Sequence, residues 1–151
     1  MYRAFKNKRT LFLNALDYYQ NRVVKNIVET LGNDRPAIEN LELVFASWQK
    51  AMTQKQGLGC LMGNTAAQFL PDDVDVRNRV LEHQNQLIDS LEKALSQGQS
   101  EGSVNVHTNA KSMARMIIST VNGLLSISRM EPPQTIAQDV LQTLMSLIRT
   151  K

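Results

Sequence analysis

Phe12, Leu16, Tyr19, Val23, Ile27 and Leu31 recur at three- and four-residue spacing, which is one face of an α-helix. Asn7 is a competent N-cap and Gly32-Asn33 a stop, so this pattern predicts a helix from about Lys8 to Leu31, roughly 36 Å long. A second stripe follows Pro36, a suitable first-turn proline: Ile38, Leu41, Phe45, Trp48 and Met52, ending near Gln54. The glycine-punctuated "QGLGCLMG" then leads into a short apolar helix, "CLMGNTAAQFL", closed by Pro71. "DDVDVRNRVLEHQNQLIDSLEKALSQG" predicts a long amphipathic helix with acids at its positive end. Its inner face is expected at Val80, Leu81, Gln84, Leu87, Ile88, Leu91, Ala94 and Leu95. "GQSEGSVNVH" is a loop. Helices from about Asn109 to Ser128 and from Pro133 to near the end complete the chain, with "EPP" breaking between them. No segment of strand period and no internal repeat is found. The expected fold is all-α, with about six helices.

The last two patterns are apolar over an unusual share of their girth. Ile117, Val121, Leu124 and Leu125 form one row, while Met116, Ile118, Gly123 and Ile127 cover much of the rest. In the final helix, Ile136, Val140, Leu144 and Leu147 lie beside Ala137, Leu141, Met145 and Ile148. Such helices need cover on more than one side, and in a chain of 151 residues a second copy is an economical source of it. The expected interface comprises Val121, Gly123, Leu124, Ile127, Val140, Leu141, Leu144 and Ile148. The alternative is that both helices are simply central in the monomer.

That length is one domain's worth. The net charge of +3 and pI near 9.2 are too mild to argue for nucleic acid by themselves. The distribution says more: Arg3, Lys6, Lys8 and Arg9 are basic, and no acid precedes Asp17. The single cysteine, Cys60, excludes an intrachain disulfide and fits a reducing compartment. No apolar run is long enough to span a membrane or to serve as a signal-peptide core. A cytoplasmic protein is expected.

With the helices placed, the chain resembles the TetR/AcrR family of bacterial transcriptional regulators. "YRAFKNKRTLF" is similar to the family's junction between recognition helix and fourth helix, Tyr-x-x-Phe-x-x-Lys-x-x-Leu-Phe, matched by Tyr2, Phe5, Lys8, Leu11 and Phe12. "GCLMGNTAAQF", "ALSQGQSEG" and "AKSMARMIISTVNGLLSISRM" resemble later family segments in the right order, with Gly123-Leu124 at the usual Gly-Leu. The resemblance implies that residues 1–7 are the remnant of a recognition helix and hinge, and that 8–151 form the ligand-binding and dimerisation domain. It also implies that Tyr2 and Lys8 sit where the family touches DNA phosphates, contacts that position a protein without reading bases. The rest of the helix-turn-helix head is expected to be missing, so operator DNA is a partner only where that head is present. A trimmed chain, a headless relative and a misplaced gene start all fit.

The resemblance places a small effector, apolar or aromatic, among the middle helices. Candidate lining residues are Trp48, Met52, Met62, Leu87, Met113, Met116 and Ile117, with Asn64, Gln84 and Cys60 as polar or thiol positions. Each has an ordinary reading as core or surface. Cys60 is either a buried small hydrophobe or, after Gly57-Leu58-Gly59 at a helix start, a thiol of lowered pKa acting as an electrophile or redox sensor. His83 and His107 lie in no metal-spacing motif. No catalytic constellation, metal site or cofactor motif stands out. The leading expectation is a ligand-responsive transcriptional regulator; the alternatives are a headless ligand-binding or dimerising module and a Cys60-based sensor or enzyme, the last with no obvious base beside the thiol.

Overall fold

The computed structural model describes residues 2–53, 72–128 and 134–151. The elements are α1 (Tyr2–Tyr19), a π-helical turn (Gln20–Val24), α2 (Lys25–Leu31), α3 (Ala37–Thr53), α4 (Val74–Glu101), α5 (Ala110–Ile127) and α6 (Gln134–Ile148). α1, the π turn and α2 run without interruption, so the described residues form five rods. There is no strand among them, only an isolated antiparallel bridge between Val104 and Arg149. The short helix expected around "CLMGNTAAQFL" and the "EPP" break lie outside the described residues.

The first rod starts earlier than its apolar pattern suggested. Asn7 does not cap a helix; it lies within α1. The Thr10 hydroxyl already donates to the Lys6 carbonyl at 2.9 Å. No glycine or proline interrupts residues 2–31, and asparagine inside a helix costs less than about 1 kcal/mol, so nothing local stops it. α4 also runs past its expected end at Gly98 and closes at Gly102, whose φ of 79° provides the left-handed cap.

Three cross-links show how the two long rods lie. Arg9 reaches Asp73 and Asp75, Asp17 pairs with Arg79, and Gln20 bonds Gln86. Numbers rise together on both sides, so α1 and α4 run parallel. At the far end, the Glu101 carboxylate accepts from the Ala37 N–H at 2.8 Å. The end of α4 thus caps the start of α3, satisfying a donor that a helix N-terminus leaves open. α3 therefore returns along α4.

The same end gathers the α4–α5 loop and the C-terminus. Asn105 N–H donates to Ile148 O at 2.8 Å, and Thr150 N–H to Ser103 O at 3.1 Å. Gln99 spans the loop, donating to the Asn105 and Thr108 carbonyls. Asn109 caps α5, accepting from Ser112 N–H at 2.9 Å. Arg149 pairs with Glu42, which ties the end of α6 to α3. One apolar core runs between the rods, from Leu16 and Val24 through Leu41, Val44, Leu91 and Leu95 to Ile117 and Ile148.

Candidate functional site

The buried stripe of α4 is Val76, Val80, His83, Leu87, Leu91, Ala94 (with Leu95) and Gly98. It recurs at steps of three or four residues, as a helix face does. This differs from the expected face. Leu81 is 51% exposed and Gln84 only half-buried. His83, at 5% exposure, occupies the inward polar position instead. Its 4-3-4 spacing with Val76, Val80 and Leu87 was the available signal, hidden because the face was read from apolar residues and Gln84.

Trp48, Met52, Leu87, Met113 and Ile117 all join the core. The Trp48 ring lies 5.4 Å from Phe45 at an interplanar angle of 54°, a tilted pairing that aromatic quadrupoles favour. Met116 does not join them: it is 41% exposed on the outer side of α5. Cys60, Met62 and Asn64 lie outside the described residues. His107 is exposed, and no group of metal-ligating side chains occurs among the described residues.

His83 carries an unusual burden. Its Nδ1 is buried without a hydrogen-bond partner among the described residues, as is Oε1 of Gln20 on the facing rod. Burial pushes the His83 imidazole below its ordinary pKa, outweighing smaller raising effects from Glu82 and Asp17, and Arg79 adds to the lowering. The side chain is therefore neutral at pH 7. A third buried orphan, Oδ1 of Asn40, belongs to a side chain whose Nδ2 donates to the Asn33 carbonyl at 2.8 Å just beyond α2. That residue's work is to close a helix end.

The rods on either side of His83 are joined by polar bonds. Asp73 caps α4, its Oδ1 accepting from Val76 N–H at 3.2 Å. Arg9 Nε donates to Asp73 Oδ2 at 2.8 Å, and Arg9 Nη2 to Asp75 Oδ2 at 2.8 Å. The hydrogen bond from Arg9 is the main reason the Asp73 carboxyl sits below its usual pKa; the same bond raises that of Arg9. Arg9 is thus spoken for inside the chain. Of the four early bases, Arg3, Lys6 and Lys8 are exposed. Tyr2 opens α1, six residues before Lys8. Partners some 64 residues apart leave no local mark in the sequence, so this ladder could not have been foreseen.

The π turn lies in the same zone. Lys25 N–H donates to Gln20 O, a five-residue reach. Such turns insert one residue into a helix and recur at functional sites. Among the described residues, hollows adjoin the rods at two places. One, between α2 and α3 around Ile27, Thr30, Leu43 and Ser47, holds about 240 Å³, small for a ligand site. The other is an open polar groove on α4 beside Gln20 and Gln86.

The residues expected at a dimer interface divide into two groups. Val121, Leu124, Leu141, Leu144 and Ile148 pack in the core of the single chain. Gly123 and Ile127 face outward and Val140 is half-buried. A Cβ built on Gly123 meets nothing within 4 Å. The outward stripes are Met116–Thr120–Gly123–Ile127 on α5 and Ile136–Val140–Thr143–Leu147 on α6, each stepping by three or four residues. Ile127, Ile136 and Leu147 are 47%, 50% and 51% exposed. No described helix is long and apolar enough to cross a membrane.

A family model, tetracyclin repressor-like C-terminal domain, matches residues 37–144. No curated protein matches the sequence. Three solved structures are similar in fold. A TetR transcriptional regulator from Chloroflexus aurantiacus J-10-FL has TM-score 0.81 and 20% identity, over 100% of this chain and 79% of that one. A TetR-family regulator from Agrobacterium tumefaciens has TM-score 0.82 and 18% identity, over 93% and 74%. Another from Cytophaga hutchinsonii has TM-score 0.74 and 20% identity, over 91% and 70%.

Proposed function

The chain belongs to the tetracyclin repressor-like C-terminal domain family of TetR regulators, and on that premise we propose that it is the effector-binding and dimerising part of a ligand-responsive transcriptional repressor. The observation that carries this reading is the parallel clamp between α1 and α4. Arg9, Asp17 and Gln20 tie the first rod to the helix that carries the buried stripe. A molecule inserted beside that stripe must move α1, whose first residues, up to 7, are read as the end of a recognition helix and its hinge. Tyr2 and Lys8 would steady phosphates there, with operator DNA bound only through a helix-turn-helix head. Coupling of this kind is worth about 1–3 kcal/mol.

The outward stripes of α5 and α6 support a homodimer, since exposed apolar rows at helical spacing are the usual material of two-fold interfaces. Assignment to the cytoplasm follows from the regulatory reading. No catalytic step is assigned to the chain.

Hydrogen exchange tests the lever. A small apolar molecule that raises the melting temperature should change amide protection in residues 2–24 as well as in the core. A stabilising ligand that leaves α1 unchanged would refute the coupling.

A further inference from the structure

We propose that His83 and Gln20 form the polar end of the effector site, and that the effector is an apolar, ring-sized molecule carrying one hydroxyl group. The proposal rests on the effector-domain reading above and adds to it the chemistry of the ligand.

His83 Nδ1 and Gln20 Oε1 are both buried and both without a partner among the described residues. Native interiors satisfy such atoms, so each orphan calls for a reason. They are also close along the rods. Gln20 bonds Gln86, and Gln86 stands three residues beyond His83, roughly 4.5 Å along the axis. One turn on the other side, Arg79 pairs with Asp17. His83 thus lies between the two cross-links, one of them made by Gln20 itself, beside the π turn that begins at Gln20.

The chemistry of the pair selects the ligand. Gln20 Oε1 can only accept; neutral His83 can donate or accept at Nδ1, according to tautomer. A carboxylate or a bare carbonyl only accepts and leaves the glutamine oxygen unmet. An ammonium would bring a net charge into a core whose nearby ions, Asp17 and Arg79, already answer each other, leaving Glu82 outside. A hydroxyl donates to one atom and accepts from the other while remaining neutral. Beyond His83 the stripe continues at Leu87, and α3 supplies Phe45, Trp48 and Met52 to the same core. The tilted Phe45–Trp48 pair suits an aromatic or alicyclic body.

Trp48 is the only tryptophan, which makes the test direct. 4-Alkylphenols from ethyl to pentyl are titrated against the alkylbenzenes of the same chain length, followed by Trp48 fluorescence and thermal shift. The expected result is binding of at least one phenol at least tenfold tighter than its hydrocarbon. His83→Phe and Gln20→Leu should each abolish that preference while keeping hydrocarbon binding, and His83→Gln should retain part of it. Equal binding of phenol and hydrocarbon by the unaltered protein would overturn the polar anchor yet leave a ligand-binding core, the orphans then being served by water only. Binding of neither series would overturn the proposal and count against the effector reading as well. The comparison within the unaltered protein stands even if a variant fails to fold.

Discussion

Replacing Gly98 with alanine sets two known effects against each other. Gly98 lies inside α4, where alanine would gain about 0.8–1 kcal/mol of helix propensity. A Cβ built there, however, falls 2.3 Å from Val104 Cγ2 and 3.1 Å from Val104 Cβ. Relaxed carbon contacts lie near 3.5–4.0 Å, so the overlap exceeds an ångström. Val104 has little room to give. It is 2% exposed, β-branched and stiff at χ1, and its N–H donates to Gly98 O at 3.0 Å. The next residue is tied to Ile148. Overpacking costs about 1–3 kcal/mol, and a pinned neighbour favours the upper half of that range. The net expectation is a loss of about 1–2 kcal/mol, a fall in melting temperature of roughly 2–8 °C. In a Val104→Ala background the 2.3 Å contact is gone, leaving Val104 Cβ at 3.1 Å and the Ser103 hydroxyl at 3.4 Å. Gly98→Ala should then be neutral or stabilising by up to about 0.5 kcal/mol, a coupling of more than ~1 kcal/mol. Urea unfolding followed by Trp48 fluorescence, at one fixed protein concentration because association shifts apparent stability, measures all four corners of the cycle. A Gly98→Ala protein more stable than the parent, or a coupling near zero, would refute the reasoning.

Four further outcomes are expected. Asp73→Ala removes the α4 cap and the Arg9 partner, costing about 1–2 kcal/mol by urea titration. The folded Asp73 carboxyl titrates below its ordinary value because of Arg9, so its contribution is complete above the ordinary carboxylate range and is lost as pH falls through the folded value; acid titration of Asp73→Ala should lack that part of the slope. Gly102→Ala, forced into φ near 79° with open space around it, should cost about 1–2 kcal/mol, and Gly102→Asn less, as compared by thermal melts. The double variant Ile127→Glu, Leu147→Glu should be monomeric by light scattering where the parent is dimeric; a monomeric parent at tens of micromolar would sink the dimer. Asn109→Ala should lower stability by about 1 kcal/mol in the same urea assay, through its bond to Ser112 N–H.

What could be read from the sequence was what depends on neighbours within about four positions. The stripe ending at Met52, the Asn109 cap and the start of α6 beside Pro133 are all of that kind, and α3, α5 and α6 fell within a residue or two of expectation. Long-range pairings did not announce themselves. In the sequence Arg9 is simply one of four early bases, although its partners lie on α4. Gly98 read as a helix stop because a glycine is ambiguous until the residue that needs the space, Val104, is in place. His83 was missed through its chemical type and not through its position.

The π turn has one further consequence. A residue added to a helix amounts to a rotation of about 100°. Residues 16 and 24, both fully buried, would lie roughly 80° apart on an uninterrupted α-helix; the wider turn between them brings them back toward a common side. Deleting one residue from 20–24 would leave a straighter and more regular rod. It would also turn everything before it about the long axis, carrying Arg9 away from Asp73 while Ile27 and Leu31 kept their seats. The turn therefore acts as the phase setting of the rod: it decides which way the first twenty residues face while leaving the last seven undisturbed.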